Sequence, residues 1–198
     1  MKLIGMLDSP FVRRVALTMA ANNVAFEHAS VSVFRDLERY RAVNPLLKSP
    51  TLICDDGTVL MDSSVILLWL EGIAGISLLP REPAQRTRAA RRTALGLVAA
   101  EKAVQIEYER KRPEAQRSAD WLVRVGEQVR AAFGAIEQDL QEGSPDPVAL
   151  DGITLAAAWG FARFVVPDVA PVSDYPALAA YAADAENRDI YRKFPVDG

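Results

Sequence analysis

Apolar residues fall into two regimes along the chain: up to about residue 75 short apolar runs alternate with helical-period stretches, and beyond it the period is helical throughout. Lys2 to Leu7 predicts a strand that begins almost at once. Pro10 suits the first turn of a helix, where a missing N–H costs nothing, and Phe11, Val15 and Met19 at spacing four give that helix one apolar face as far as Asn22. Phe26 to Val33, with β-branched Val31 and Val33, predicts a second strand, parallel to the first after the helical crossover. Arg35 to Val43 predicts a short charged helix ending at Asn44-Pro45. Thr51–Cys54 and Thr58–Met61 predict two strands joined through Asp55-Asp56-Gly57, since Asp-Gly favours a tight hairpin turn. Ser63 to Glu71 predicts an apolar helix closed by Gly72.

The order β-α-β-α-β-β-α joins a parallel βαβ unit to a ββα unit, which predicts a compact four-stranded α/β domain over residues 1–76. Gly72 to Pro83 reads as a linker. Four helices are then expected: Ala84–Arg112, Ala115–Glu142, Ile153–Val166 and Tyr175–Glu186, the first three stopped by Pro113, Gly143-Ser144-Pro145 and Pro167. Residues 84–198 are thus expected to form an all-α domain.

Composition narrows the function classes. The 198 residues are 50% hydrophobic and 25% charged, ordinary for a globular chain, and the net charge of −3 argues against a nucleic-acid partner. The one basic cluster, Arg81, Arg86, Arg88, Arg91 and Arg92, reads as a solvated or interfacial helix face. A single cysteine and a single histidine rule out an internal disulfide and the multi-cysteine or paired-histidine metal motifs, so no metal is expected. The longest apolar run, Val65 to Leu70, is too short to span a membrane, and no signal-peptide pattern opens the chain; a reducing cytoplasm is the expected setting.

Three places gather polar groups. Pro50 precedes the strand-like run Thr51-Leu52-Ile53-Cys54. A cis bond there would turn the Ser49 backbone outward and leave its N–H and C=O for an extended ligand. Asp62-Ser63 opens an apolar helix, where carboxylate, hydroxyl and free N–H groups meet. Ser9 stands before Pro10, a sequence equally suited to a helix cap.

Taken together, Ser9-Pro10-Phe11-Val12-Arg13-Arg14-Val15, Asn44-Pro45-Leu46-Leu47-Lys48-Ser49-Pro50-Thr51-Leu52 and Met61-Asp62-Ser63-Ser64-Val65-Ile66-Leu67 resemble the glutathione transferase superfamily. Leu47 stands where many relatives have glycine, and Ser49 where many have valine. The resemblance implies a thioredoxin-like N-terminal domain, glutathione as co-substrate with no tightly bound cofactor, a small hydrophobic electrophile as second substrate, and a homodimer. Ser9 would stabilise the glutathione thiolate by hydroxyl donation and helix position. Phe11, Lys48, Ser49, Pro50, Asp62 and Ser63 would hold the tripeptide: Ser49 through its backbone, Asp62 at the ammonium, Ser63 at the γ-glutamyl carboxylate. Lys48 would reach the glycyl carboxylate, or stand as a solvated charge.

Tyr108 and Arg112, and after them Trp159, are candidates for an electrophile pocket between the domains. Cys54 is expected to be a buried, inert thiol, and His28 a structural or exposed histidine. Asp151-Gly152-Ile153-Thr154 resembles a family helix-capping segment with Asp and Thr exchanged, which implies a folding role. A non-catalytic glutathione binder, a protein-interaction member of the fold, and a glutathione-dependent isomerase or dehalogenase are the alternatives.

Overall fold

The computed structural model describes residues 1–196. The first half runs β1 (Lys2–Ile4), α1 (Pro10–Ala21), β2 (Glu27–Ala29), α2 (Leu37–Val43), β3 (Thr51–Ile53), β4 (Val59–Met61) and α3 (Ser63–Ala74). Its sheet has the order β2-β1-β3-β4, with β1 and β2 parallel and the other two pairings antiparallel. The four-stranded α/β domain expected from the element order, and the thioredoxin-like arrangement that the resemblance implies, are therefore present. Val12, Val15, Ala16 and Met19 of α1 pack with Leu3, Leu52, Ile66, Leu67 and Leu70 to form the core beneath the sheet. At the β3–β4 turn Gly57 takes φ 86, and an Asp56 carboxylate oxygen accepts the Thr58 N–H at 2.9 Å.

Several boundaries shift for local reasons. β1 stops at Ile4, because Gly5 (φ 144) turns the chain after its N–H bonds the Ala29 carbonyl. β2 is only Glu27–Ala29; Val31 leaves the sheet and is buried against Ile4 and Tyr40 instead. α3 runs through Gly72 and ends at Ala74, because Gly75 supplies the left-handed residue (φ 63) that closes a helix.

The second half contains α4 (Pro83–Lys111), α5 (Ala119–Gln141), α6 (Leu150–Val165), α7 (Pro176–Glu186) and the short α8 (Asp189–Arg192). α5 starts later than Ala115: a single 3₁₀ turn, Glu114–Gln116, comes first, and the Ser118 hydroxyl caps the Trp121 N–H. Buried Ile153, Leu155, Ala156, Trp159 and Ala162 make α6 the centre of this half, packed against α4, α7 and, across the halves, α1, with Trp159 meeting Phe133 of α5. Arg13 of α1, 1% exposed, fixes that junction. It forks onto Glu186 with two 2.6 Å bonds, donates to the Phe194 carbonyl at 2.7 Å, and lies 5.5 Å from the Tyr191 ring centroid.

Two expectations are corrected. Asp151 and Thr154 do not cap α6: the cap residue is Ala149, so both lie inside the helix. Thr154 donates to the Leu150 carbonyl at 2.6 Å and Asp151 faces Arg92 at 3.8 Å. The arginine cluster is not one solvated face, because Arg92 is buried and bonds Asp139 at 2.9 Å, while Arg81, Arg86, Arg88 and Arg91 are exposed.

Candidate functional site

Ser9 takes the N-cap position of α1 (φ −69, ψ 122), and its Oγ accepts the Val12 N–H at a long 3.4 Å. A hydroxyl that accepts from the helix keeps its own hydrogen to donate. It also sits at the positive end of a twelve-residue helix.

The Ser49–Pro50 bond is cis. The Lys48 carbonyl just before it is held by three donors: Thr51 Oγ1 at 2.8 Å, Tyr40 Oη at 3.1 Å and Asn44 Nδ2 at 3.3 Å. Asn44, Tyr40 and Thr51 are buried, so this knot fixes the segment from beneath. Among the described residues no hydrogen bond occupies the Ser49 N–H or C=O, which leaves both for a ligand. Leu47 adopts φ 52, in the left-handed region that glycine enters most readily. A Cβ on Gly5 would lie 2.6 Å from Ser49 Oγ, so the glycine lets the two segments approach.

Asp62 caps α3 from a strained φ of 69: its Oδ1 accepts the Ser64 N–H at 2.9 Å. Lys48 Nζ lies 4.0 Å from Asp62 Oδ2, with both side chains about half exposed, which makes a weak pair. Beneath them is Arg14, 2% exposed. Its Nη1 donates to Ser63 Oγ at 3.0 Å and Ser64 Oγ at 3.2 Å, while its buried Nε has no partner among the described residues. Burial pushes the guanidinium pKa down to about 10, against the pull of the Asp62 charge.

These segments line two adjoining pockets. One, about 230 Å³, is bounded by Phe11, Lys48, Ser49, Pro50, Asp62 and Ser63, with Glu101 and Leu97 of α4 opposite. The other, about 410 Å³, includes Ser9, Phe11, Lys48 and Ser49 and faces an apolar wall. All seven residues singled out as catalytic or glutathione-binding thus lie around one continuous cleft.

Residues 3–81 match the family model described as glutathione S-transferase, N-terminal domain. The chain is 30% identical over 167 residues to an uncharacterized GST-like protein, YibF, of Escherichia coli, covering 83% of each. The chain belongs to the glutathione S-transferase superfamily. A glutathione S-transferase of Methylobacterium radiotolerans, solved in complex with glutathione sulfonate, superposes with a TM-score of 0.88 at 27% identity, covering 98% of this chain and 93% of that one. A family member from Pseudomonas fluorescens with bound glutathione has a TM-score of 0.82 at 27% identity, covering 98% and 97%.

The wall of this cleft differs in part from expectation. Tyr108 lines it, and burial raises its hydroxyl pKa. Trp159 does not: it is packed edge-on against Phe133 (5.3 Å between centroids) and Tyr175 (5.8 Å) inside the helical core. Arg112 lies outside it, beyond the end of α4 and paired with Glu109 at 3.2 Å. The wall instead holds Phe34, Phe161, Phe164 and Val104. Phe34 meets Tyr108 edge-on at 5.5 Å, and Lys111 lies 5.5 Å from the Phe34 centroid.

Cys54 is buried and its thiol pKa is raised, by desolvation first and then by Asp56 and Asp55, so it is a poor nucleophile. His28 Nε2 is bonded to the Gly5 carbonyl at 2.9 Å, a structural contact. Among the described residues no group of three or more His, Cys, Asp or Glu could hold a metal, and no helix is long and apolar enough to cross a membrane.

Arg14 and Glu101 were not singled out from the sequence. Arg14 does leave a signal, a charge set between apolar Val12 and Val15 on a helix whose neighbours are buried. Glu101 leaves none, because its place depends on how α4 crosses the cleft.

Proposed function

We propose that this protein is a glutathione transferase that joins the glutathione thiolate to a small hydrophobic electrophile. The observation that supports it best is the pairing of cap and cleft. Ser9 stands at the N-terminus of α1, its hydroxyl hydrogen free to donate, at the mouth of a pocket walled by Phe34, Tyr108, Phe161 and Phe164. Glutathione would lie extended along Ser49, exchanging backbone bonds with it, with its γ-glutamyl end at Asp62 and Ser63, its ammonium between Asp62 and Glu101, and Lys48 near the glycyl end. The thiol would lose its proton to solvent as Ser9 donates to the sulfur. The sulfur would then attack the electrophilic carbon held against the aromatic wall, forming the S–C bond as the carbon's leaving group departs with its electron pair or, at an activated double bond, as the π pair moves to the far atom and is protonated by solvent. Ser9 forms no covalent bond.

A homodimer would use the exposed apolar side chains Val65 and Leu68 of α3 and the exposed Arg88 and Arg91 of α4, and sedimentation velocity tests it. A reducing cytoplasm accords with the lone buried Cys54.

Glutathione titrated at neutral pH, followed by the ultraviolet absorbance of the thiolate, tests the reading. Saturable thiolate formation supports it. Binding without thiolate indicates a non-catalytic binder, and no binding refutes it.

A further inference from the structure

We infer that Arg14 is a positioning residue: it aims the Ser63 and Ser64 hydroxyls at the γ-glutamyl α-carboxylate of bound glutathione from behind, without touching the ligand. The inference rests on the glutathione reading above.

A guanidinium can only donate. With Arg14 Nη1 at 3.0 Å from Ser63 Oγ and 3.2 Å from Ser64 Oγ, each oxygen has spent lone-pair capacity on it. Neither hydroxyl can point its hydrogen back at the arginine, so each must donate elsewhere. Both oxygens belong to residues that line the 230 Å³ pocket at the N-terminus of α3, a twelve-residue helix. Two hydroxyl donors and the free N–H groups of a first helical turn suit an anionic oxygen pair.

The charge leads to the same place. Arg14 is buried, makes no ion pair among the described residues, and keeps a buried Nε without a partner there. Asp62, whose charge acts on it, makes no ion pair with it: Oδ1 accepts the Ser64 N–H and Oδ2 lies 4.0 Å from Lys48 Nζ. A buried cation so placed is costly until an anion docks nearby. The γ-glutamyl carboxylate at the start of α3 would be that anion, one hydroxyl away.

The test compares glutathione with γ-aminobutyryl-cysteinylglycine, which lacks only that carboxylate, by calorimetric titration of the native protein, Arg14→Met and Arg14→Lys. The native protein should prefer glutathione. Arg14→Met should lose about tenfold to a hundredfold in affinity for glutathione and less than about threefold for the analogue, so that the preference collapses. Arg14→Lys, which keeps the charge, should restore part of it.

Equal losses for both ligands would mean a merely structural role and overturn the inference, as would an unchanged preference. If the native protein binds neither ligand, the functional reading itself fails. Should Arg14→Met lack the native circular dichroism, Arg14→Gln, which keeps a donor without charge, is judged by the same criterion.

Discussion

Ser9→Ala separates the capping role of the hydroxyl from the role proposed for it at the thiolate. The hydroxyl caps α1 through a bond of 3.4 Å to the Val12 N–H, at the long end for a hydrogen bond, so its loss should cost about 1 kcal/mol of stability or less. Toward a thiolate it would act as a donor to a full charge, a bond of about 1.5–3 kcal/mol. At about 1.4 kcal/mol per unit, losing it raises the pKa of the bound thiol by roughly one to two units. The sign follows: the folded complex holds its proton more tightly, so the rising limb of kcat moves to higher pH. At a pH below both values turnover falls by about tenfold to a hundredfold, and above both it returns toward the native rate. The assay is kcat against pH, with the thiolate absorbance titrated in parallel. Ser9→Gly is the control, since glycine caps nearly as well but offers no hydroxyl. Both variants should show the same thiol pKa while only Ser9→Ala loses the stability of the cap. If Ser9→Ala leaves the bound-thiol pKa and the kcat profile where they were, Ser9 does not activate the sulfur.

Three further outcomes follow from the packing. A Cβ at position 152 would overlap the Asp146 carbonyl and the Tyr181 hydroxyl, so Gly152→Ala should destabilise by about 3 kcal/mol or more in urea unfolding, through overpacking of a backbone contact. Arg13→Met removes the fork to Glu186 and leaves the Phe194 carbonyl without its donor; Glu186 is 37% exposed and can rehydrate, so the cost should be about 2–3 kcal/mol, read as a fall in Tm. The Asp151 carboxyl is held above its ordinary pKa, chiefly by desolvation, so the native state binds that proton more tightly than the unfolded chain. Stability due to this group is therefore greatest in acid and declines as pH rises through the raised value, and Asp151→Asn should gain on the native protein over that interval in urea titrations at stepped pH.

The fold was legible where its signals are local. Asp56-Gly57 marks the hairpin, Pro10 and Ser9 start α1, and the change from alternating to helical period marks where the sheet ends. Boundaries slipped where two residues of the same type compete or a distant group decides. Gly72 and Gly75 look alike in sequence, yet only Gly75 is left-handed, and Glu71 helps hold the chain beyond α3 by accepting the Leu78 N–H at 3.1 Å. The α5 start is set by Ser118, whose N–H is bonded by Glu109 from α4 at 2.7 Å. Trp159 and Phe164 stand on the same apolar helix, and periodicity gives no reason to prefer either for the cleft. Packing against Phe133 and Tyr175 takes Trp159 into the core and leaves Phe164 59% exposed at the pocket wall. Ser9, Ser49 and Asp62 could be picked out as candidates because each lies in its own short segment; Arg14 bonds Ser63, far off in sequence, and only the crossing of α1 over α3 unites them.

The two serines share one device. Ser9 accepts a backbone N–H and Ser63 accepts a guanidinium, and in each case one lone pair of the hydroxyl is occupied from within the protein and its hydrogen is kept off that partner. The hydrogen is thereby turned toward other acceptors. Each donor also stands at the N-terminal end of a twelve-residue helix, where the helix dipole favours negative charge. A hydroxyl with both options open would tolerate a donor or an acceptor in the ligand; one held in this way discriminates between them. On the function proposed above, the cleft would serve two negative centres on one extended molecule, a carboxylate beside Ser63 and a thiolate beside Ser9, with Asp62 and Glu101 in the lining of the carboxylate's pocket for a cation next to it. The strengths differ in a telling way. The charge-assisted bond at 3.0 Å constrains the Ser63 hydroxyl more tightly than the neutral bond at 3.4 Å constrains that of Ser9. That difference would match the charges of the proposed ligand: its carboxylate is ionised before it arrives, while its thiolate exists only once the proton has left, so Ser9 would serve a sulfur that is first protonated and then charged.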